Sequence, residues 1–388
     1  MTATGVPRSL KSFFLLHKCN IYIRIPHMSS TPTAPTVTIT SLEGLKTSGL
    51  SSFYSDGTND FTGADFTNAQ LPDVNLSGAN LSGAHLSGAN LANAMLTGAN
   101  FTGATLTGDT LAGINGSGAI FNRADLSGAN LSGANLTGAR LVHANLVGTN
   151  FSEAKLHGAS LLNSDLSGSN LNRAALNGAN LTNAKFTGAN LNATNLSDAI
   201  ISGTDFTGAN LSGIILNNTN LSDSVLTGAS LYMTPLYDID LSQKDLTGIT
   251  LTSTFMEKAN LSGANLTGAN LTWTNLSYAN LSGANLSGAM LDKAILVGTN
   301  LVGANVSGAT FNEVDMSGAI LEGVDLSVAT VIPIPDYSSV PVVLPETAPA
   351  EPAPEESAPA PAPEESAPAP EESAPAPAPE EPAPAPTV

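Results

Sequence analysis

The chain has one cysteine, Cys19, in 388 residues. It can form no internal disulfide and offers no Cys-based metal framework. Charge is scarce at 12%, and positive charge is scarcest: 13 Lys and Arg stand against 32 Asp and Glu, for a net of −19. Nucleic-acid binding needs basic side chains to displace counterions, so this balance argues against such a partner. No uninterrupted apolar run approaches the ~18 residues of a membrane span. Phosphate-cradling and dinucleotide-binding contexts are missing as well, since the glycines recur as turn residues. His85, His143 and His157 are scattered, with no helix or loop to bring a nucleophile to them, and nothing suggests a cleft around the acids. The expectation is a protein that is not an enzyme and takes no cofactor or metal.

Periods of 3.6 and of two residues are also missing. In their place is a period of five. From Phe61 to Leu326 a large apolar residue falls at every fifth position without one insertion or deletion, at 54 sites. Of these, 41 are Leu and eight are Phe; Ile201, Met256, Val306 and Met316 follow, and Gly116 is the one exception. Neither a helix nor a strand has this period, so the unit must be a short extended piece followed by a turn. Two residues before each centre Ala predominates, small enough to point inward. Asn or Asp usually precedes the centre and Ser or Thr follows it. Two residues after the centre Gly occupies 31 of the 54 sites. Leu-Ser-Gly-Ala therefore reads as a four-residue turn with Gly in third place, where type II geometry requires positive φ. At Gly116 the large centre is missing, but Ile114 replaces the inward Ala two residues earlier. Large and small have exchanged places, which should keep the core filled.

This run of Ala-(Asn/Asp)-Leu-(Ser/Thr)-Gly units resembles the pentapeptide-repeat family over about 270 residues. The resemblance implies an all-β fold, a right-handed quadrilateral β-helix with four units per coil, hence about 13 coils. At ~4.8 Å per coil the rod would be roughly 65 Å long. The residues themselves support a twenty-residue coil only slightly, through Phe101/Phe121 and Phe186/Phe206, which would then stack in adjacent coils.

Outside the repeat, residues 36–60 are expected to cap one end and the Pro-broken segment 331–345 the other. Residues 346–388 consist of Pro, Ala and Glu repeats; residues 331–388 together hold eleven acids and no Lys or Arg. Such a segment cannot build a packed core and is expected to be a disordered, semi-stiff acidic tail. Residues 1–35 read as a flexible extension. Their stretch RSLKSFFLLHKCNIYIRIP invites a targeting reading, but its apolar part is cut by His17 and Lys18. Met28 is an alternative start. The expected location is cytoplasmic, or secreted or lumenal if the first 27 residues are a targeting segment.

Three outward features remain. Tyr232, Met233, Tyr237, Phe255, Trp273 and Tyr278 should gather around one corner within about two and a half coils, among irregular units that include Pro235 and Lys244. Clustered exposed aromatics are a partner-binding signal. Asp65, Asp125, Asp165, Asp205, Asp245 and Asp325 should share one face as an acidic stripe. Some members of the family resemble duplex DNA and bind type II topoisomerases. DNA carries a charge every ~1.7 Å, roughly 38 over the rod, against 18 acids and eight bases in residues 61–330, so mimicry here would be sparse. Regular Ser and Thr columns raise a remoter reading, a surface that orders ice or water. The leading expectation is a protein-protein interaction scaffold with another protein as partner and no nucleic acid. The alternative is a DNA-mimic regulator of a topoisomerase such as gyrase. Homodimer formation is compatible with either.

Overall fold

The computed structural model describes residues 60–333, all within the first of two units, Met1–Pro335. The extension at 1–35, the proposed cap before Asp60, the segment 334–345 and the tail at 346–388 lie outside the described residues.

Nearly every pentapeptide contributes one residue to parallel bridges with residues twenty positions away, as in Asn100 to Ile120 and Asn130 to Asn150. Twenty residues per coil and five per unit make four sides. The described residues form a right-handed quadrilateral β-helix of about 13 coils, roughly 65 Å along its axis. Its faces are named here by their first bridging residue, in chain order Asp60, Asp65, Gln70 and Asn75.

The period of five follows from how one unit uses its backbone donors. In the unit 101–105, Phe101 N–H donates to the Ile120 carbonyl of the next coil (2.6 Å) and Gly103 N–H to that of Asn122 (2.9 Å). Ala104 N–H closes the turn on Phe101 (3.0 Å), and Thr105 N–H reaches back to Ala84 (2.9 Å). The fifth donor, Thr102 N–H, is taken by the Asn100 side chain through Oδ1 at 3.0 Å. Every N–H has a partner, as a packed backbone requires. Asn and Asp dominate before the centre because their side chains close this corner. From Gly63 to Gly323 every third turn position has positive φ except Asp223. On the Gln70 face Asn130, Asn150, Asn170, Asn190 and Asn210 also join their amides, Nδ2 to Oδ1, at 3.0–3.2 Å.

Inside, the Leu and Phe centres and the small residues between them are buried along the rod. Phe101 lies flat on Phe121, with centroids 4.9 Å apart and planes at 7°, and Phe186 on Phe206 at 5.3 Å. Ile114 is fully buried, and a Cβ built on Gly116 would lie 3.0 Å from Leu136 Cδ2. The exchange of large and small thus keeps that level closed. Inward Thr residues are tolerated because their hydroxyls cap a centre carbonyl of the coil before: Thr149 Oγ1 donates to Leu126 (2.9 Å), Thr194 to Leu171 (2.8 Å) and Thr274 to Leu251 (2.6 Å).

Two charged side chains occupy inward sites. Asp109 is buried in a column otherwise filled by residues such as Ala89 and Ala129. Its Oδ1 accepts from Ala89 N–H at 2.9 Å, but Oδ2 has no partner. Burial pushes its carboxyl up to about 8, against the opposing pull of the neighbouring Ala89 and Gly88 N–H groups. Lys244 extends its ammonium to the Ser224 carbonyl at 2.6 Å, and burial lowers its pKa while Asp223 opposes that shift.

Between Asp60 and Ile320 every face residue takes part in a bridge except Asn220. The pairs Ile200/Asn220, Ile215/Pro235, Asn220/Asp240 and Val225/Asp245 are unbridged, whereas Asn210/Ser230/Thr250 continue on the Gln70 face. Near its C-terminal end the coil passes into a short 3-10 turn, Leu326–Val328, capped by the Asp325 side chain on Ser327 N–H.

Candidate interaction face

On most faces the bridging position is polar, because its side chain closes a corner. Along the Asn75 face this pattern fails at four of five successive coils: the series reads Ile215, Pro235, Phe255, Asn275, Ile295. Ile215, Phe255 and Ile295 are each 40–44% exposed, at ~10 or ~20 Å separations set by the coil rise.

Aromatic side chains border this line on both sides. Trp273 and Tyr278 occupy the two consecutive corners that flank Asn275 and are 57% and 66% exposed. Met233 stands in the Trp273 column two coils earlier, and Tyr232 and Tyr237 are exposed beside the face. The six expected residues therefore do come together, spread over two corners and the face between them rather than one corner. Ile215 and Ile295 escaped the sequence reading. Their signal was there, an apolar residue where Asn or Asp is the rule.

The large rings are held by their neighbours along the rod. Tyr237 stacks on Phe255 with centroids 6.0 Å apart and planes at 25°. Lys293, one coil above Trp273, places Nζ 4.7 Å from its ring centroid and pairs with Glu313 at 3.7 Å. A Cβ on Gly298 would stand 2.8 Å from the Tyr278 ring, so the ring rests where only glycine leaves room. Trp273 and Tyr278 adopt φ of +62° and +61°, a region costing an L-residue roughly 1–2 kcal/mol. Many other corners carry the same strain in smaller or charged residues. The distinguishing feature here is the apolar area.

The six Asp residues also fall in one register, that of the Asp65 face, five of them in its bridges and Asp325 following at its end, with His85 and Lys185 interspersed. Their carboxylates serve the corners as Asn does elsewhere. Asp65, Asp125, Asp165, Asp205, Asp245 and Asp325 each accept the N–H of the Ser or Thr two residues on, at 2.9–3.1 Å. Thr67 holds the Asp65 carboxyl below the usual range, as Thr247 does for Asp245 and Ser327 for Asp325. At Asp205 burial opposes the shift, but hydrogen bonds from Thr207 and Thr187, with Lys185 nearby, prevail.

Among the described residues no group of three or more His, Cys, Asp or Glu is placed to hold a metal ion, and no helix is long and apolar enough to cross a membrane.

The family model described as pentapeptide repeats matches in segments running from residue 59 to 327. Only positions 109 and 244 fall between segments, and these are the two inward charged residues. Among solved structures, the chain is similar to HetL, a pentapeptide repeat protein involved in heterocyst differentiation regulation from Nostoc sp. strain PCC 7120. Identity is 28%, covering 73% of this chain and 94% of that one, with a TM-score of 0.23. A pentapeptide repeat protein of the Arabidopsis thaliana thylakoid lumen is 29% identical over 28% of this chain and 78% of its own, TM-score 0.21. QnrB1, a plasmid-mediated fluoroquinolone resistance protein, is 19% identical over 46% of this chain and 85% of its own, TM-score 0.38. No curated protein matches the chain in sequence.

Proposed function

This chain belongs to the pentapeptide-repeat family, and we propose that its coils form a non-enzymatic scaffold that binds a partner protein through the Asn75 face. The observation that carries this reading is the exposed apolar line Ile215–Phe255–Ile295 with Trp273 and Tyr278 on its borders. The polar face positions elsewhere close corners; these apolar ones leave that role unfilled and present area to solvent. Large apolar and aromatic side chains concentrated in one patch supply most of the energy of protein interfaces. The partner this surface suits presents apolar side chains along an extended or helical segment about four coils long, roughly 20 Å.

A mimic of duplex DNA acting on a type II topoisomerase draws less support. The six Asp of the Asp65 face are engaged with their own corners and share the face with Lys185 and His85.

The test compares retention of host proteins by the full-length chain and by a Trp273→Gly/Tyr278→Gly variant, followed by binding of the purified partner to both. We expect a partner held by the wild type and weakened at least about 30-fold in the variant, in line with loss of two hot-spot aromatics. Equal affinity for every retained protein would refute the assignment.

A further inference from the structure

We infer that the coil boundary between Ile215–Leu226 and Pro235–Leu246 is a joint, at which the two parts of the β-helix rotate about the Gln70 face. Three consecutive sides of this boundary are unbridged: Ile215/Pro235 on the Asn75 face, Asn220/Asp240 on the Asp60 face and Val225/Asp245 on the Asp65 face. The Gln70 face is closed on both sides, with Leu211 N–H on Ser230 (2.7 Å), Leu231 N–H on Thr250 (2.8 Å) and Thr250 N–H on Ala229 (2.8 Å). The opposite Asp60 face is the most open, because Asn220 is also unpaired with Ile200. The corners flanking the Gln70 face are tied as well, by Gly213 N–H on Tyr232 (3.0 Å) and Gly228 N–H on Thr247 (2.9 Å). The other three faces carry no ladder, and the Asp65 side is crossed by the Lys244 side chain. The rotation axis therefore lies on the laddered edge.

The residues responsible occupy the upper side of the gap. Pro235 has no N–H to return to Ile214, and the Asn75 face opens there. Lys244 fills a site made for Ala, and its ammonium takes the Ser224 carbonyl that Asp245 N–H would otherwise reach. Ile239 is a second oversized inward residue, above Thr219, and remains only partly buried together with Leu216. Overfilling of small sites separates packed layers. Asp223, the one corner from Gly63 to Gly323 without positive φ, lies at the same level. Yet Leu221, Leu226, Leu236, Leu241 and Leu246 stay buried. The joint is thus held by non-directional apolar contact while the directional ladder is missing, a combination that permits rotation without exposing the core.

The test uses the full chain with Cys19→Ser and spin labels on cysteines introduced in pairs on the Asp60 face. Asn180 and Asn280 span the joint; Asn80 and Asn180 span the same five coils, roughly 24 Å, within the unbroken part. Pulsed dipolar spectroscopy should give a distance distribution at least about twice as wide across the joint. Hydrogen exchange should be about 100-fold faster at 216–226 than at 196–206, one coil earlier. A Pro235→Asn/Ile239→Ala/Lys244→Ala variant, which restores the repeat, should narrow the distribution and slow the exchange. Equal widths for the two pairs would overturn the joint. A wide distribution unchanged in the restored variant would overturn its assignment to these residues.

Discussion

Replacing Asp109 by Ala should stabilise the coils around it, and by an amount that depends on pH. The carboxyl is buried among small inward residues with one oxygen unpartnered, and burial raises its pKa to about 8. In the unfolded chain an aspartate titrates near its ordinary value of about 4. Between these values the folded chain keeps a proton that the unfolded chain releases. Stability is therefore lost as pH rises through this window, by about 1.4 kcal/mol per pH unit, and levels off above about 8. The accumulated loss at pH 7 is on the order of 4 kcal/mol. Ala removes it without orphaning a donor, because Ala89 N–H also donates to the Leu86 carbonyl at 2.7 Å. Denaturant unfolding followed by far-ultraviolet circular dichroism, from pH 4.5 to 9, gives the difference between wild type and Asp109→Ala. It should be small at pH 4.5, grow steadily to pH 8 and then flatten. Titration of the other carboxylates is common to both proteins and cancels. Parallel curves would refute the claim that Asp109 is protonated in the folded rod.

Removing the aromatic corners should separate binding from stability. Trp273→Gly and Tyr278→Gly each relieve a left-handed φ worth about 1 kcal/mol; at Trp273 alone this is set against the loss of a Lys293 cation-π contact of similar size. A melting temperature within about 2 °C of the wild type checks this. Gly116→Leu should cost about 1–3 kcal/mol by overpacking against Leu136 and Ile114, and adding Ile114→Ala should recover most of that loss. An additive double-mutant cycle would contradict the exchange of large and small. The corner carboxylates of Asp65, Asp205, Asp245 and Asp325 have lowered pKa values. Their contribution is present above the usual carboxylate range and lost as pH falls through their folded values, so acid should weaken the rod; replacing the four by Asn should flatten that acid limb in the same unfolding assay.

Much of this architecture can be read from the residues because each position in the unit has a single task. Leu or Phe at the centre, Ala two before and Gly two after specify core, clearance and left-handed corner, and the described coils place them so. The number of sides is different. A five-residue unit does not by itself fix the angle through which its corner turns, and the Phe101/Phe121 spacing offered only a hint that the stacked rings bear out. Lys244 and Pro235 stand out as departures from the repeat, but which hydrogen bonds they break depends on the coil beneath them. Asp109 could have been noticed as a charge at an Ala site, whereas its missing partner is visible only once both neighbouring coils are in place. Ile215 and Ile295 become a surface only when twenty-residue spacing aligns them with Phe255.

The twenty-residue register also governs how the chain can change in length. A single consensus pentapeptide inserted between Phe255 and Ile295 would fold without difficulty, since consensus units stack on one another. It would turn everything beyond it by a quarter revolution and carry the later apolar residues onto a neighbouring side. Four units inserted together would only lengthen the line. Duplication is thus structurally cheap in steps of five, but the alignment of a face survives only in steps of twenty.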